Sequence, residues 1–366
     1  MSDERKEAEE KMAKAIFISG DGWLCVFDLL PPSQRNVPAP SQLGLGIALI
    51  SHRFDFYVEE HFKTRKWALL KPFRIQSKNG ENGTKEMEIA SYEELLPIPQ
   101  IQLPRKVTGF TCIVLNYIDR NAIAFLHRSR PLFAACPINL AIQTTNERIL
   151  EFFLRYIWPM IAKNICGMHL FPNVFHSLRK FAPSFLNDCP SLRFIFFNDY
   201  KFFFEFSADD SAMASDAKAM AKWLFTPRPD GVPKVFKCEL NKKEVRNWPS
   251  KIAAFKAAFD DASAPANAIV VIWFPPSFVD SVVLFDQTNK LTRERLALKR
   301  ANNDDRFLLV RCPIVRDASK WAKWEKEAID WRFIDQWNKI GMRIDDEDDL
   351  GDGLHYETPG PSDQQK

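Results

Sequence analysis

Between residues 111 and 274 the chain alternates short apolar runs with amphipathic stretches, and few architectures accept that rhythm. "TCIVLNY" (111–117), "CPINLAI" (136–142), "ICGMHLF" (165–171) and "CPSLRFIFF" (189–197) read as strands. Between them lie "DRNAIAFLHRSRPLF", "NERILEFFLRYIWPMI" and "NVFHSLRKFAPSFL", patterned as helices. Parallel strands need long connections, so such a series predicts parallel strands joined by crossover helices. The alternation continues with a helix at 216–225, a strand at 233–240 and a helix at 251–260 that presents Ile252, Phe255 and Phe259 on one face. "NAIVVIWF" (267–274) is apolar throughout, as a strand buried on both faces must be, and Pro275-Pro276 ends it.

Ile138, Ile165 and Leu192 head equivalent segments, 27 residues apart in both steps. That period falls within the range of leucine-rich repeats, in which each unit gives one strand and one helix. No unit carries the full consensus or its Asn. Two readings stay open: a degenerate leucine-rich-like stack, and a non-repetitive α/β sheet.

After residue 280 the long helical spacers vanish. "SVVLF" (281–285), "ERLALKR" (294–300) and "RFLLVRCPI" (306–314), with the turn cluster "ANNDD" between the last two, predict an antiparallel meander. A final helix follows over 317–331, capped by Asp317. Trp321, Trp324, Ala328 and Trp331 share one face of it, and Lys320, Lys323, Lys326 and Glu327 the other. Core packing is the first reading of this Trp stripe, and a binding hot spot the second. The fold class expected for 107–343 is therefore α/β, α+β overall: an irregular strand–helix domain ending in an antiparallel meander and a C-terminal helix.

The flanks differ. Residues 1–18 form a charged segment, and 66–106, rich in turn residues and Pro, read as a linker and irregular edge. The tail 344–366 is acidic, then rich in Pro, Gly and Ser, which predicts disorder. Its Asp-rich start fails the calcium-loop pattern because no Glu closes it.

Residues 19–65 carry three short apolar stripes at helical spacing. The first is Trp23, Val26, Phe27 and Leu30, with Asp21 as its cap and Pro31-Pro32 as its stop. Leu43, Ile47, Ile50 and Phe54 form the second. Phe54, Tyr57, Val58, His61 and Phe62 form the third. So small a unit cannot bury much core alone and needs a covering partner. "VFDLLPPSQ" followed by "LGLGIALISHRFDFYVEEHF" resembles an F-box. Val26-Phe27 and Leu30-Pro31 match its first helix. Leu43, Ala48-Leu49-Ile50, Ser51, Arg53 and Phe54 match its second. Two departures stand out: Ser19 to Trp23 replace the usual leading Leu-Pro, and Arg35 to Gln42 lengthen the first turn.

The resemblance, over residues 19–62, implies a three-helix module that docks on the Skp-type linker of a cullin–RING (SCF-type) ubiquitin ligase. The docking face it implies comprises Val26, Phe27, Leu30, Pro31, Leu43, Ile47, Ile50 and Phe54. The rest of the chain would then capture a protein target for ubiquitin-dependent degradation. The alternative is a non-catalytic repeat-like interaction scaffold with the N-terminal helices as a cap.

Chemistry is hard to find in the sequence. There is no G-x-S-x-G, H-E-x-x-H, G-x4-G-K-[ST] or G-x-G-x-x-G, and the six His never pair at metal spacing. Cys136 and His169 are the one thiol–base pair weighed, and chance accounts for them. The seven Cys are scattered and odd in number, which suggests reduced thiols without disulfides or zinc. A net charge of +3 makes no case for nucleic acid. The expectation is a non-enzyme without cofactor, metal or membrane span, cytoplasmic or nuclear, since no signal-peptide pattern or run of about 18 apolar residues occurs. Without secretion, the Asn82-Gly83-Thr84 sequon carries no meaning.

Overall fold

The computed structural model describes residues 67–69, 73–79, 85–91, 94–97, 107–197, 208–301 and 305–344. The chain divides into two compact units, one of residues 1–71 with 104–108 and one of 72–103 with 109–366. The F-box-like helices and the acidic tail lie outside the described residues. In the first unit the described part is strand β1 (Trp67–Leu69), which pairs with the start of β5 (Val107–Phe110).

The second unit is α/β, built on a 13-stranded sheet. Its strands are β2 (Phe73–Asn79), β3 (Lys85–Ser91), β4 (Glu94–Pro97), β6 (Cys112–Leu115), β7 (Ile138–Ile142), β8 (Ile165–Leu170), β9 (Phe194–Phe197), β10 (Lys234–Glu239) and β11 (Ala268–Trp273). The last four are β12 (Phe285–Asn289), β13 (Glu294–Arg300), β14 (Arg306–Pro313) and β15 (Lys339–Met342). Their order is β12-β13-β14-β11-β10-β9-β8-β7-β15-β6-β2-β3-β4. The stretch from β11 to β2 is parallel throughout, and antiparallel strands close both edges.

The helices follow their local signals. Asp119 caps α1 (Arg120–Arg128) by accepting from the Ala122 N–H. Pro131 opens α2 (Arg130–Ala135), and Asn146 caps α3 (Glu147–Phe152). A wide turn, Phe153–Ile157, leads from α3 into α4 (Trp158–Ile161), and there the Trp158 N–H reaches back to the Phe153 carbonyl. Pro159 has no N–H to give the regular ladder, which accounts for the widening. Next come α5 (Pro172–Phe181), α6 (Asp216–Phe225), α7 (Lys242–Arg246), α8 (Trp248–Asp260) and α9 (Ala318–Asp330), the last capped by Asp317 as expected.

Strand register separates the two faces. Ile113, Ile340, Leu140, Met168, Ile195, Phe236, Val270, Leu309 and Leu298 line up across the sheet, and all are buried. This face meets the crossover helices, as where Phe175 of α5 packs on Phe197 at 5.4 Å. Crossovers of one hand, taken in one direction along the sheet, keep their helices on one side. α9 lies on the other face. Its Trp321, Ala328 and Trp331 pack on Phe194, Val235, Ile269, Val271, Leu308, Val310 and Cys312.

The expected spacing and the observed pairing agree in part over three strands. Ile138 pairs with Ile165, 27 residues on, but an irregularity then shifts the other β7–β8 pairs to an offset of 28, while Gly167 and Phe194 keep 27. Beyond them the offset changes, with Phe194 opposite Val235 and Lys234 opposite Ala268. β15 also enters between β7 and β6, although repeats in a solenoid contact only their sequence neighbours. Several boundaries need correcting. β9 begins at Phe194 rather than Cys189, since Pro190 has no N–H for the ladder. The first meander strand is 285–289 rather than 281–285, because the chain after Pro275 forms a short helical turn over Pro276–Ser281. Residues 66–106, read as a linker and irregular edge, contain β1 and the three edge strands β2 to β4.

Candidate functional site

A parallel sheet ordinarily has both faces covered. Here, among the described residues, the second face carries α9 over β9, β10, β11 and β14, and beyond it only the Phe333–Asp335 turn. The remainder is a cleft of roughly 1350 Å³. One row of paired residues crosses it: Arg74, Val114, Gly341, Ala141, His169, Phe196 and Lys237. The small side chains of Val114, Gly341 and Ala141 set a low floor at its middle. Arg74 bounds that floor on one side and the His169–Phe196 pair on the other.

The aromatic side is stacked. The His169 ring lies on Phe196 with centroids 5.0 Å apart and planes 10° from parallel, and Phe333 leans on it at 5.6 Å. Burial pushes the His169 pKa down, which favours the neutral ring. Its Nε2 is buried without a hydrogen-bond partner.

The wall is held by two lysines. Lys237, 2% exposed, donates to the carbonyls of Ile329 at 3.1 Å and Trp331 at 2.6 Å. Its ammonium thereby caps the C-terminal end of α9, where the helix dipole is negative. It also lies over the rings of Trp273 and Trp331, at 5.2 and 5.9 Å. Lys339 donates to the Ile334 carbonyl in the turn. Trp331 stacks on Phe194 at 5.1 Å, and it fits because position 167 is glycine: a Cβ there would stand 2.8 Å from the Trp331 ring and 2.4 Å from Asn139 Oδ1.

β15 reaches its slot through Asn338, whose backbone is left-handed at φ 54°. Asn338 Oδ1 accepts from the Phe110 N–H, and its carbonyl accepts from the Asn139 N–H. The Asn139 side chain in turn donates to the Trp337 carbonyl. Asn tolerates this conformation better than most residues, and here its side chain is used as well.

Charge gives the cleft its character. Arg74, Lys237, Arg306, Arg332, Lys339 and Arg343 line it against two carboxylates, Asp330 and Asp335. Asp335 is already bound to Arg332 at 2.6 Å. Arg74, Arg343 and Lys339 cluster around Cys112, whose thiol is nevertheless pushed up by burial despite their pull. Arg74 and Arg343 are exposed and form no ion pair among the described residues.

Burial pulls the Lys237 pKa down to about 8, and that of Lys234 likewise. Between pH 8 and 10.5 the unfolded chain therefore holds more protons at these sites than the folded one. Stability from Lys237 rises with pH across that window, by up to about 3 kcal/mol, and is lost as pH falls back through 8. Urea titrations from pH 7.5 to 10 should show the rise, with a shallower slope in Lys237→Met. An equal slope in the variant would contradict the assignment.

The structure does not join the sequence's thiol–base candidates. Cys136 Sγ bonds to the Leu132 carbonyl, burial pushes its thiol up to about 11, and it makes no hydrogen bond to His169. Among the described residues no group of three or more His, Cys, Asp or Glu side chains could hold a metal, and the six described Cys are free thiols. Among them, too, no helix is long and apolar enough to cross a membrane. Val26, Phe27, Leu30, Pro31, Leu43, Ile47, Ile50 and Phe54 lie outside the described residues. Sequence reasoning missed the cleft. Its lining comes from strands spread between residues 74 and 343, and no local motif marks it. Comparison of the chain with family models, with curated proteins and with solved structures finds no match in any of the three.

Proposed function

We propose that the protein is a non-catalytic substrate adaptor of a cullin–RING ubiquitin ligase: the N-terminal helices dock on a Skp-type linker, and the open-face cleft captures a protein target. The reading rests on the F-box-like order of Val26-Phe27, Leu30-Pro31, Leu43 to Ile50 and Phe54. The chemistry of the cleft supports it as well. Its lining is mostly cationic, with six Lys and Arg side chains against two carboxylates, which suits capture of a charged segment.

The full chain should bind a purified Skp-type linker. Leu30→Asp or Ile47→Asp should weaken that binding by at least about a hundredfold, the effect of placing a charge in an apolar interface. Absence of binding by the wild-type chain, with its sheet folded by circular dichroism, would sink the adaptor reading. The scaffold alternative would then remain: it requires no ligase subunit and predicts aggregation when residues 1–62 are deleted.

A further inference from the structure

We propose that the cleft binds an acidic peptide segment of a partner protein, with carboxylates on Arg74 and Arg343 and an aromatic side chain against the His169–Phe333 pair. This deepens the adaptor reading by naming the class of target that its capture site takes. Three observations carry it.

The first is the pair of open cations. Arg74 shares a register row with Gly341, two strands away, and Arg343 follows β15 directly, two residues past Gly341, its N–H donating to the Leu115 carbonyl. Two interstrand spacings and two residue rises put their Cα atoms about 12 Å apart. Two arginine side chains can close that gap on one carboxylate or hold successive ones. Neither has an ion-pair partner among the described residues, whereas Asp335 across the cleft is taken by Arg332. Arginine's planar fork suits carboxylates.

The second is the floor. Val114, Gly341 and Ala141 leave room between the arginines and the rings, so a peptide can lie across the strands with one side chain reaching the aromatic side. On that side the His169 ring, stacked on Phe196 and met by Phe333, gives an aromatic surface.

The third is scale. The cleft is confined to one face of the sheet unit and is lined by six cations and two carboxylates. A volume of roughly 1350 Å³ holds a short peptide stretch. Segments read in this way by arginine clusters are a recurrent mode of peptide recognition.

The test is fluorescence anisotropy on the full chain with labelled (Glu-Asp-Tyr)4, its uncharged counterpart (Gln-Asn-Tyr)4 and a dodecamer of deoxythymidine. The acidic peptide should bind with a Kd on the order of tens of micromolar at 50 mM salt. It should weaken at least about threefold at 200 mM, where screening is stronger. Arg74→Glu with Arg343→Glu should reduce binding at least about tenfold without shifting the melting temperature. The milder Arg74→Gln with Arg343→Gln should fall between. Lys180→Glu, outside the cleft on α5, should bind like wild type. Equal binding of the uncharged peptide, tighter binding of the oligonucleotide, or no loss in the double variants would overturn the inference. Peptide binding by a chain that fails to bind the linker would uphold this site and remove the adaptor reading; the reverse pattern would overturn this site alone.

Discussion

Glu294→Ala is expected to destabilise the sheet unit by about 3–5 kcal/mol, as removal of one partner of a buried ion pair does. Glu294 is 1% exposed and binds Arg311 through both oxygens, with the closest contact at 2.7 Å. It also accepts the Ala266 N–H at 2.7 Å. Arg311 in turn donates to the Ala264 carbonyl and lies over the Phe225 and Phe259 rings. The pair thus ties the β13–β14 meander to the loop that leads into β11. Truncation strands a guanidinium and an amide in a dry setting. Replacing both partners, Glu294→Met with Arg311→Leu, should recover most of the loss, because no uncompensated charge remains. Denaturant titration measures both. A single variant no worse than the double would contradict the argument.

Trp331→Ala should cost about 3–5 kcal/mol, in the range of large aromatic truncations in cores. Trp331 is 7% exposed and fills the space above Gly167 and Phe194. Its carbonyl and that of Ile329 hold the Lys237 ammonium. The truncation therefore loosens the wall of the cleft as well as the core. Trp331→Phe keeps most of the ring and should cost roughly 1–2 kcal/mol. Denaturant titration with acidic-peptide binding on the same samples checks both effects. A loss below about 1 kcal/mol in Trp331→Ala would mean that α9 is anchored elsewhere.

Much of the sheet was legible. β7 and β11 are apolar runs buried along nearly their whole length, and such runs announce themselves. The 27-residue spacing of Ile138 and Ile165 matches their pairing, but the register slips to 28 for the rest of β7 and β8. Trp321 and Trp331 went to the core, as the stripe on one face of α9 suggested. β15 was not legible. "KIGM" is four residues long, follows a polar turn, and is a strand because of its neighbours rather than its own propensity. Its slot depends on Asn338, whose value lies in a left-handed backbone and two distant hydrogen-bond partners.

The cleft was invisible for a related reason. Arg74, Gly341, Ala141 and His169 are unremarkable singly, and only strand order brings them into one row. Since β15 was missed, Gly341 and Arg343 could not be placed beside Val114 and Arg74. The F-box-like pattern is of the opposite kind, a local order of residues in the sequence, and it lies outside the described residues.

The most direct test of the whole account is affinity purification of the tagged full chain with mass spectrometry, run beside Leu30→Asp with Ile47→Asp and Arg74→Glu with Arg343→Glu. The account predicts that wild type recovers a Skp-type linker, a cullin and proteins with acidic segments. The N-terminal variant should lose the ligase subunits and keep the acidic partners, and the cleft variant should do the converse. Recovery of wild type without linker or cullin, from cells in which other adaptors recover both, would contradict it.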